Sequence, residues 1–254
     1  MNASGAKLTL LTFAPMVDSE TARLLLHHHG VAYQEKDHLF LWVSLLSKLH
    51  GGTANIPLLY GPGLAINTPA DIAAHFDAQL PPERRLSPPE EPLASEVKAD
   101  WATYNGGTAA DTAVFAYFHL LPAKTLMVPI FAAPVPGYEK AVTPLVYPLL
   151  AAIIGKLLKL SPEAAAQAQA NIRAAFDATA KRIADGRLYL CGDRLTLGDI
   201  ALAAAAAPLL QPPGYGATLP PPEKMPPPMR DFTAELRAHP TGAFVTRLYT
   251  EGFA

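Results

Sequence analysis

Asn55 to Phe76 reads NIPLLYGPGLAINTPADIAAHF. A short apolar strand spans Ile56 to Tyr60, with Pro57 at its start, and the Gly61-Pro62-Gly63 turn leads into a second apolar run, Leu64 to Ile66. Thr68 then suits a helix N-cap and Pro69 the first helical position. Proline donates nothing to a sheet ladder, so Pro57 at a strand start marks a special backbone site. Held cis, an X-Pro bond there turns the N–H and C=O of Ile56 outward, toward a ligand. About a dozen residues later, the N–H groups of the helix start suit an anion. An extended peptide bearing a carboxylate needs both features. An ordinary hairpin followed by a capped helix fits the same residues.

On the N-terminal side, Lys7 to Phe13 (KLTLLTF) alternates as a strand does. Asp18 to Gly30 (DSETARLLLHHHG) reads as a helix, capped by Asp18 or Ser19 and stopped by Gly30. Val31 to Lys36 gives a second strand. Strand, helix and strand within about 30 residues make a βαβ unit with a parallel pair. His38 to Asn55 reads as loop or irregular helix, so the first eighty residues run β-α-β-α-β-β-α. Ala78 to Pro92 (AQLPPERRLSPPEEP) is a Pro-rich, charged linker.

Beyond the linker the pattern is helical. Leu93 to Tyr104 starts a helix that Gly106-Gly107 loosens before Thr108 to Leu121 resumes it. Pro122 to Pro136 is broken by prolines, and Ser161-Pro162-Glu163 is a strong helix start. That helix presents Ile172, Phe176, Thr179 and Ile183 on one face and ends at Gly186. Thr196-Leu197-Gly198-Asp199 forms a capping-box variant ahead of an unbroken apolar run, Ile200 to Leu210. A helix apolar all round belongs at the centre of a bundle. Pro-rich Gln211 to Pro228 wraps back, and Met229 to Ala238 and Ala243 to Tyr249 close the chain. The boundaries expected are 1–79 for an α/β thioredoxin-like domain, 80–92 for the linker and 93–254 for an all-α helical bundle.

Composition narrows the partners. The 254 residues are half hydrophobic and carry a net charge of −2, with no long basic run. Neither nucleic acid nor a membrane is therefore expected. One cysteine, Cys191, excludes an internal disulfide framework and reads as a buried apolar residue in a reducing compartment. No signal-peptide pattern opens the sequence, and the uncharged span between Lys140 and Lys156 is short and interrupted by Pro144 and Pro148. A cytoplasmic protein is expected. His27, His28 and His29 are consecutive on a helix and point in different directions, so no metal site is expected.

A thioredoxin-like half, a Pro-rich linker and a helical half carrying LYLCGDRLTLGDIALA (Leu188 to Ala203) together resemble the glutathione transferase superfamily over nearly the whole chain. Ile56-Pro57 looks like the family's cis-proline dipeptide. Gly192 to Asp199 is similar to its G-D-x-x-T-x-A-D helix-cap signature, with Gly198 in place of alanine. Glu20-Thr-Ala-Arg23-Leu-Leu-Leu is similar to the A-E-x-x-R-x-L-L pattern of the pi, alpha and sigma classes.

In that frame the resemblance implies a glutathione site. Trp42 and Lys48 fall at the spacing of residues that hold the glycine end, where an ammonium and an indole N–H suit a carboxylate. Asn55 stands where the family often has Gln, and Ile56 would pair its backbone with the cysteinyl part by strand addition. Thr68-Pro69 falls on the pair that holds the γ-glutamyl carboxylate, and Pro69 lacks both a hydroxyl and an N–H. An Arg that some classes place in the first loop falls on Asp18, which reverses the local charge. Tyr-, Ser- and Cys-type catalytic positions fall on Thr12 and Ala14. To ionise the co-substrate thiol, Thr12 is the first candidate donor and Ser19 the second. Phe13, Met16, Trp101, Tyr104 and Tyr117 are candidates for the wall of an electrophile pocket.

The resemblance implies a homodimeric detoxification enzyme conjugating glutathione to an apolar electrophile. Two alternatives stay open. One is a glutathione-dependent lyase or isomerase, the other a non-catalytic binding module marked by Pro69 and Asp18.

Overall fold

In a computed structural model, residues 8–253 of the chain are described. The chain builds a small mixed sheet with flanking helices, followed by a larger all-helical unit. Strand β1 (Leu8–Thr12) leads into helix α1 (Val17–His28), then β2 (Tyr33–Asp37), α2 (Phe40–Leu49), the hairpin β3 (Leu58–Gly61) and β4 (Leu64–Asn67), and α3 (Pro69–Asp77). The sheet order is β2-β1-β3-β4; β1 and β2 are parallel, and the other two pairs are antiparallel. This is the thioredoxin-like arrangement, and β1 lies inside it because it pairs on both edges. Lys7, where the sequence reading starts the first strand, lies outside the described residues.

Several elements differ from the sequence reading, mostly by a few residues at their ends. The segment read as loop or irregular helix holds regular α2, whose N-cap Leu39 brings no side-chain acceptor. The first strand of the hairpin starts at Leu58 rather than Ile56, because Pro57 has no N–H to give the ladder; the Ile56–Pro57 bond is cis. The second strand of the βαβ unit begins at Tyr33, two residues late.

After a 3₁₀ turn at Pro82–Arg84, α4 (Leu93–Trp101) continues through a π-helical stretch, Ala102–Thr108, into α5 (Ala109–Leu120). Gly106 and Gly107 sit in the π segment, where the sequence suggests a loosening. The Pro-punctuated span forms α6 (Lys124–Ala132) and α7 (Gly137–Leu157). Helix α7 runs 21 residues straight through Pro144 and Pro148, which interrupt the apolar span in the sequence reading. Both prolines are exposed and one turn apart, so the carbonyls they leave unpaired face water. Helix α7 is the one helix among the described residues that is long and apolar enough to cross a membrane by length and composition.

Helices α8 (Pro162–Arg182), α9 (Leu197–Leu210), α10 (Pro227–Ala238) and α11 (Pro240–Arg247) complete the unit. Every residue of α9 is buried. Its start is held by Asp199, which is fully buried and accepts from Leu190 N–H (2.7 Å), Thr196 N–H (2.9 Å) and the Thr196 hydroxyl (2.9 Å). Burial pushes the Asp199 carboxyl up to about 6 against the pull of these donors. Losing such a cap costs about 0.5–2 kcal/mol, and the stranded buried donors add to it.

The two units are tied through α1. Glu20, 1% exposed, accepts from Arg23 Nη1 (3.0 Å), the Gly216 N–H (3.1 Å) and the Tyr249 hydroxyl (2.8 Å). Arg23 reaches on to Glu35 (2.7 Å) on β2. The Glu20–Arg23 pattern that resembles the glutathione transferase classes is therefore a buried charge network joining the sheet to the C-terminal segment.

Candidate functional site

An apolar cavity of about 320 Å³ lies where the two units meet. From the first unit it takes Phe13, Pro15, Met16, Val17 and Asp18, the turn between β1 and the start of α1. From the second it takes Asn105 and the face of α5 that carries Ala109, Thr112, Ala113, Ala116, Tyr117 and Leu120. That face repeats every three to four residues, and its alanines leave the space empty. Helices α6 and α7 close the far side with Met127, Ile154 and Leu157.

Phe13, Met16 and Tyr117 stand in this wall, as the sequence suggests. Trp101 and Tyr104 do not. Tyr104 is buried in the helical core with its hydroxyl 2.9 Å from Thr179 Oγ1, and Trp101 packs half-buried against that core. For Tyr104 the π turn explains the shift. An extra residue in one turn rotates everything after it, so Asn105 rather than Tyr104 comes round to the cavity. Asn105 Oδ1, Thr112 Oγ1 and the Tyr117 hydroxyl are buried without a hydrogen-bond partner among the described residues.

Neither hydroxyl proposed from sequence as the thiol donor lines the cavity. Thr12 is fully buried, and its hydroxyl lies 2.8 Å from Glu35 Oε1 and 2.5 Å from Asp37 Oδ1. Burial and the neighbouring Glu35 raise the Asp37 pKa. Ser19, also fully buried, donates to the Phe13 carbonyl (3.0 Å) and braces the turn. The carboxylate in the cavity lining is that of Asp18, on the first turn of α1. Its carboxyl has no hydrogen-bond or ion-pair partner among the described residues, and burial pushes its pKa up to about 6.

The positions expected to hold glutathione fall on α2, on the loop before β3 and at the start of α3. Ile56 is buried, and its N–H and C=O make no hydrogen bond among the described residues. Pro57 is buried beside it. The Asn55 carbonyl is already occupied by Ser47 Oγ (3.2 Å) and by the Asn67 amide (2.6 Å). Trp42 and Lys48 are both exposed. Six residues apart on a regular helix, they point about 120° away from each other, so the structure does not bring them onto one side of α2.

At the other end, Thr68 caps α3 with φ 67° and ψ 140°, a backbone position that costs a non-glycine residue about 1–3 kcal/mol and recurs at ligand clamps. Its hydroxyl donates to Asp71 Oδ2 (2.7 Å) and accepts from the Asp71 N–H (3.2 Å). Thr68 is thus engaged within its own helix turn, and Pro69 is buried at N1.

Asn67 was not singled out from sequence. Its amide donates to Asn55 O and Ser47 Oγ (3.1 Å) and its Oδ1 accepts from Thr53 N–H (2.7 Å), so it fixes the 53–57 loop against α2. Gly52 allows this approach, because a Cβ there would lie 2.7 Å from Asn67 Oδ1. A polar side chain closing β4 just before a Thr-Pro helix start is the only signal the sequence carries for it. Among the described residues, no group of three His, Cys, Asp or Glu side chains is placed to hold a metal ion. Cys191 is half-buried, with Arg182 Nη2 3.3 Å from its sulfur, and burial raises its thiol pKa.

Residues 162–234 match the family profile of the glutathione S-transferase C-terminal domain. A search of curated proteins gave no significant sequence match. Several solved structures are similar over nearly their full length. Glutathione transferase GSTFuA3 from Phanerochaete chrysosporium superposes with a TM-score of 0.62 at 10% identity, covering 98% of this chain and 97% of that one. A glutathione S-transferase from Rhodospirillum rubrum F11 gives 0.57 at 17% identity, with 96% and 92% covered. CsGST63524 of Ceriporiopsis subvermispora, solved in complex with glutathione, gives 0.56 at 16% identity, with 96% of each chain covered. The chain has the fold of the glutathione transferases.

Proposed function

We propose that this chain is a glutathione transferase-like enzyme that conjugates glutathione to an apolar electrophile. The observation that carries the reading is the apolar cavity between the two units, which ends at the turn preceding α1. The peptide co-substrate would run along the Ile56–Pro57 loop, pairing with the free N–H and C=O of Ile56. Its glycine carboxylate would meet Lys48 or Trp42, and its γ-glutamyl carboxylate the first-turn N–H groups of α3. The sulfur would then lie at the start of α1.

With the Thr12 and Ser19 hydroxyls engaged elsewhere, two groups are left to act on the thiol. The first-turn N–H groups of α1 and its dipole favour the thiolate. Asp18, ionised above about pH 6, accepts the thiol proton as the sulfur attacks. The resemblance further implies a homodimer.

Mixing the protein with glutathione and a chromogenic aryl halide or enone tests the reading. Saturable turnover is expected, falling about tenfold or more in Asp18→Asn. Rates equal to the uncatalysed reaction across such a panel contradict it. A second reading, a non-catalytic binding module, is favoured by the Thr68–Asp71 lock beside Pro69, which removes side-chain donors from the carboxylate position.

A further inference from the structure

Helix α2 does not cap itself. Its N-cap residue, Leu39, brings no side-chain acceptor, and its first turn holds no acidic residue. The other helices of the first unit differ: α1 has Asp18 and Glu20 in its first turn, and α3 has the Thr68 hydroxyl and Asp71. In a capping box, a Glu or Gln at the third helical position takes the N–H of the N-cap residue. Here that position is Trp42, and the carboxylate arrives from the second unit instead. Glu139, on the first turn of α7, accepts the Leu39 N–H at 2.7 Å and lies 2.5 Å from His38 Nδ1. The His38 N–H donates to the Thr12 carbonyl (3.0 Å), which ties the same junction to the end of β1. Glu139 is 4% exposed and His38 7%, so water is kept from the contact. Its charge also faces the positive end of the helix.

Between its ends α2 is anchored lightly. Five of its ten residues are exposed, and Val43 and Ser47 alone are buried. The Ser47 hydroxyl donates to the Asn55 carbonyl (3.2 Å) and accepts from the Asn67 amide (3.1 Å), beside Ile56–Pro57. The placing of α2 therefore sets Trp42 and Lys48 directly and the Ile56 loop through Ser47. The α7 residues of the cavity wall, Ile154 and Leu157, begin fifteen residues beyond Glu139, about 22 Å along the helix.

We propose that Glu139 is a positioning residue for the glutathione site: supplied by the second unit, it caps α2 and so sets the helix and the loop along which the co-substrate is held. This rests on the co-substrate reading given above. It divides α7 between two tasks, its start serving the co-substrate and its later turns the electrophile. Loss of Glu139 weakens glutathione and leaves the electrophile alone, the reverse of what its place on a cavity helix suggests.

Glutathione calorimetry, the electrophile KM and amide hydrogen exchange, all on the full chain, test this. In Glu139→Ala the glutathione Kd should rise about tenfold, the size of one lost cap. The electrophile KM should not move, and faster exchange should be confined to α2 and residues 53–57. Glu139→Gln should restore most of the affinity, because its amide accepts from Leu39 and donates to His38 in the other imidazole tautomer. Should the alanine variant not fold, Glu139→Asp, one methylene shorter, gives a graded form of the same loss. Tyr147→Phe removes a buried bond from α7 to the Leu121 carbonyl (2.6 Å), two turns beyond Glu139, and should lower the melting temperature without moving the Kd. Unchanged α2 exchange in Glu139→Ala overturns the proposal. So does an equal loss of affinity in Tyr147→Phe, which would make the docking of α7 responsible rather than the cap. A parent that binds no glutathione while α2 is still released in Glu139→Ala overturns the co-substrate reading and leaves Glu139 a cap with no positioning role.

Discussion

Asp18 is the residue on which the proposed chemistry turns. A carboxylate on the first turn of a helix is normally stabilised by the dipole, yet here burial against the cavity dominates and its pKa is about 6. Raised above its unfolded value, the group contributes stability that is fully present below about pH 4 and is lost as pH climbs through about 6. Asp18→Asn removes that penalty. The variant should match the parent near pH 4 and exceed it near pH 7 by about 1–2 kcal/mol, the full two-unit value reduced for partial exposure. If Asp18 is also the base, the parent's kcat/KM rises through the same window and the variant's does not. Parallel melting curves at both pH values would show that Asp18 is solvated, and an unchanged pH–rate limb would assign the proton to another group.

The short elements show how the sequence encodes the scaffold and where its code runs out. Gly198, which stands where the resembling signature has alanine, has a local reason: a Cβ there would lie 2.6 Å from Asp100 Cβ and 2.9 Å from its Oδ2. Asp100 cannot withdraw freely, because its Oδ1 is 2.5 Å from Arg182 Nη1. Gly198→Ala should therefore cost about 1–3 kcal/mol by overpacking, read from denaturant melts. An unchanged midpoint would mean that α4 shifts at no cost.

Capped and punctuated elements of this kind were legible: the Thr196–Asp199 box, the Thr68-Pro69 start of α3 and the βαβ unit all follow from local rules. Helix α7 was not, since proline is tolerated wherever the freed carbonyl meets water, and exposure is a tertiary fact. Tyr104 falls outside the cavity because a π turn shifts helical phase without leaving a mark in residue type, whereas Trp101, ahead of that turn, packs against the core. Thr12 and Ser19 looked available because their partners, the β2 carboxylates and the Phe13 carbonyl, come into reach only on folding. Asn67 acts through contacts 10 to 20 residues away in sequence, which no periodicity announces.

At the scale of the whole molecule, the cavity lies where the two units meet, and Glu20 ties α1 to the C-terminal segment. Glu20→Ala strands Arg23, the Tyr249 hydroxyl and the Gly216 N–H in a buried setting. It should cost about 3–5 kcal/mol and lower turnover along with stability. A loss below about 1 kcal/mol would show that packing of α1 on α9 suffices without the network.

The central claim, that the edge running from α2 through Ile56 to the start of α3 still receives glutathione, is tested most directly by calorimetric titration of glutathione into the parent, Lys48→Ala and Pro69→Ser. The account predicts weak but saturable binding to the parent, its loss in Lys48→Ala, and a gain in Pro69→Ser of about tenfold or more from one charge-assisted hydrogen bond of roughly 1.5–3 kcal/mol. No binding heat in either the parent or Pro69→Ser would contradict it and leave the binding-module reading in its place.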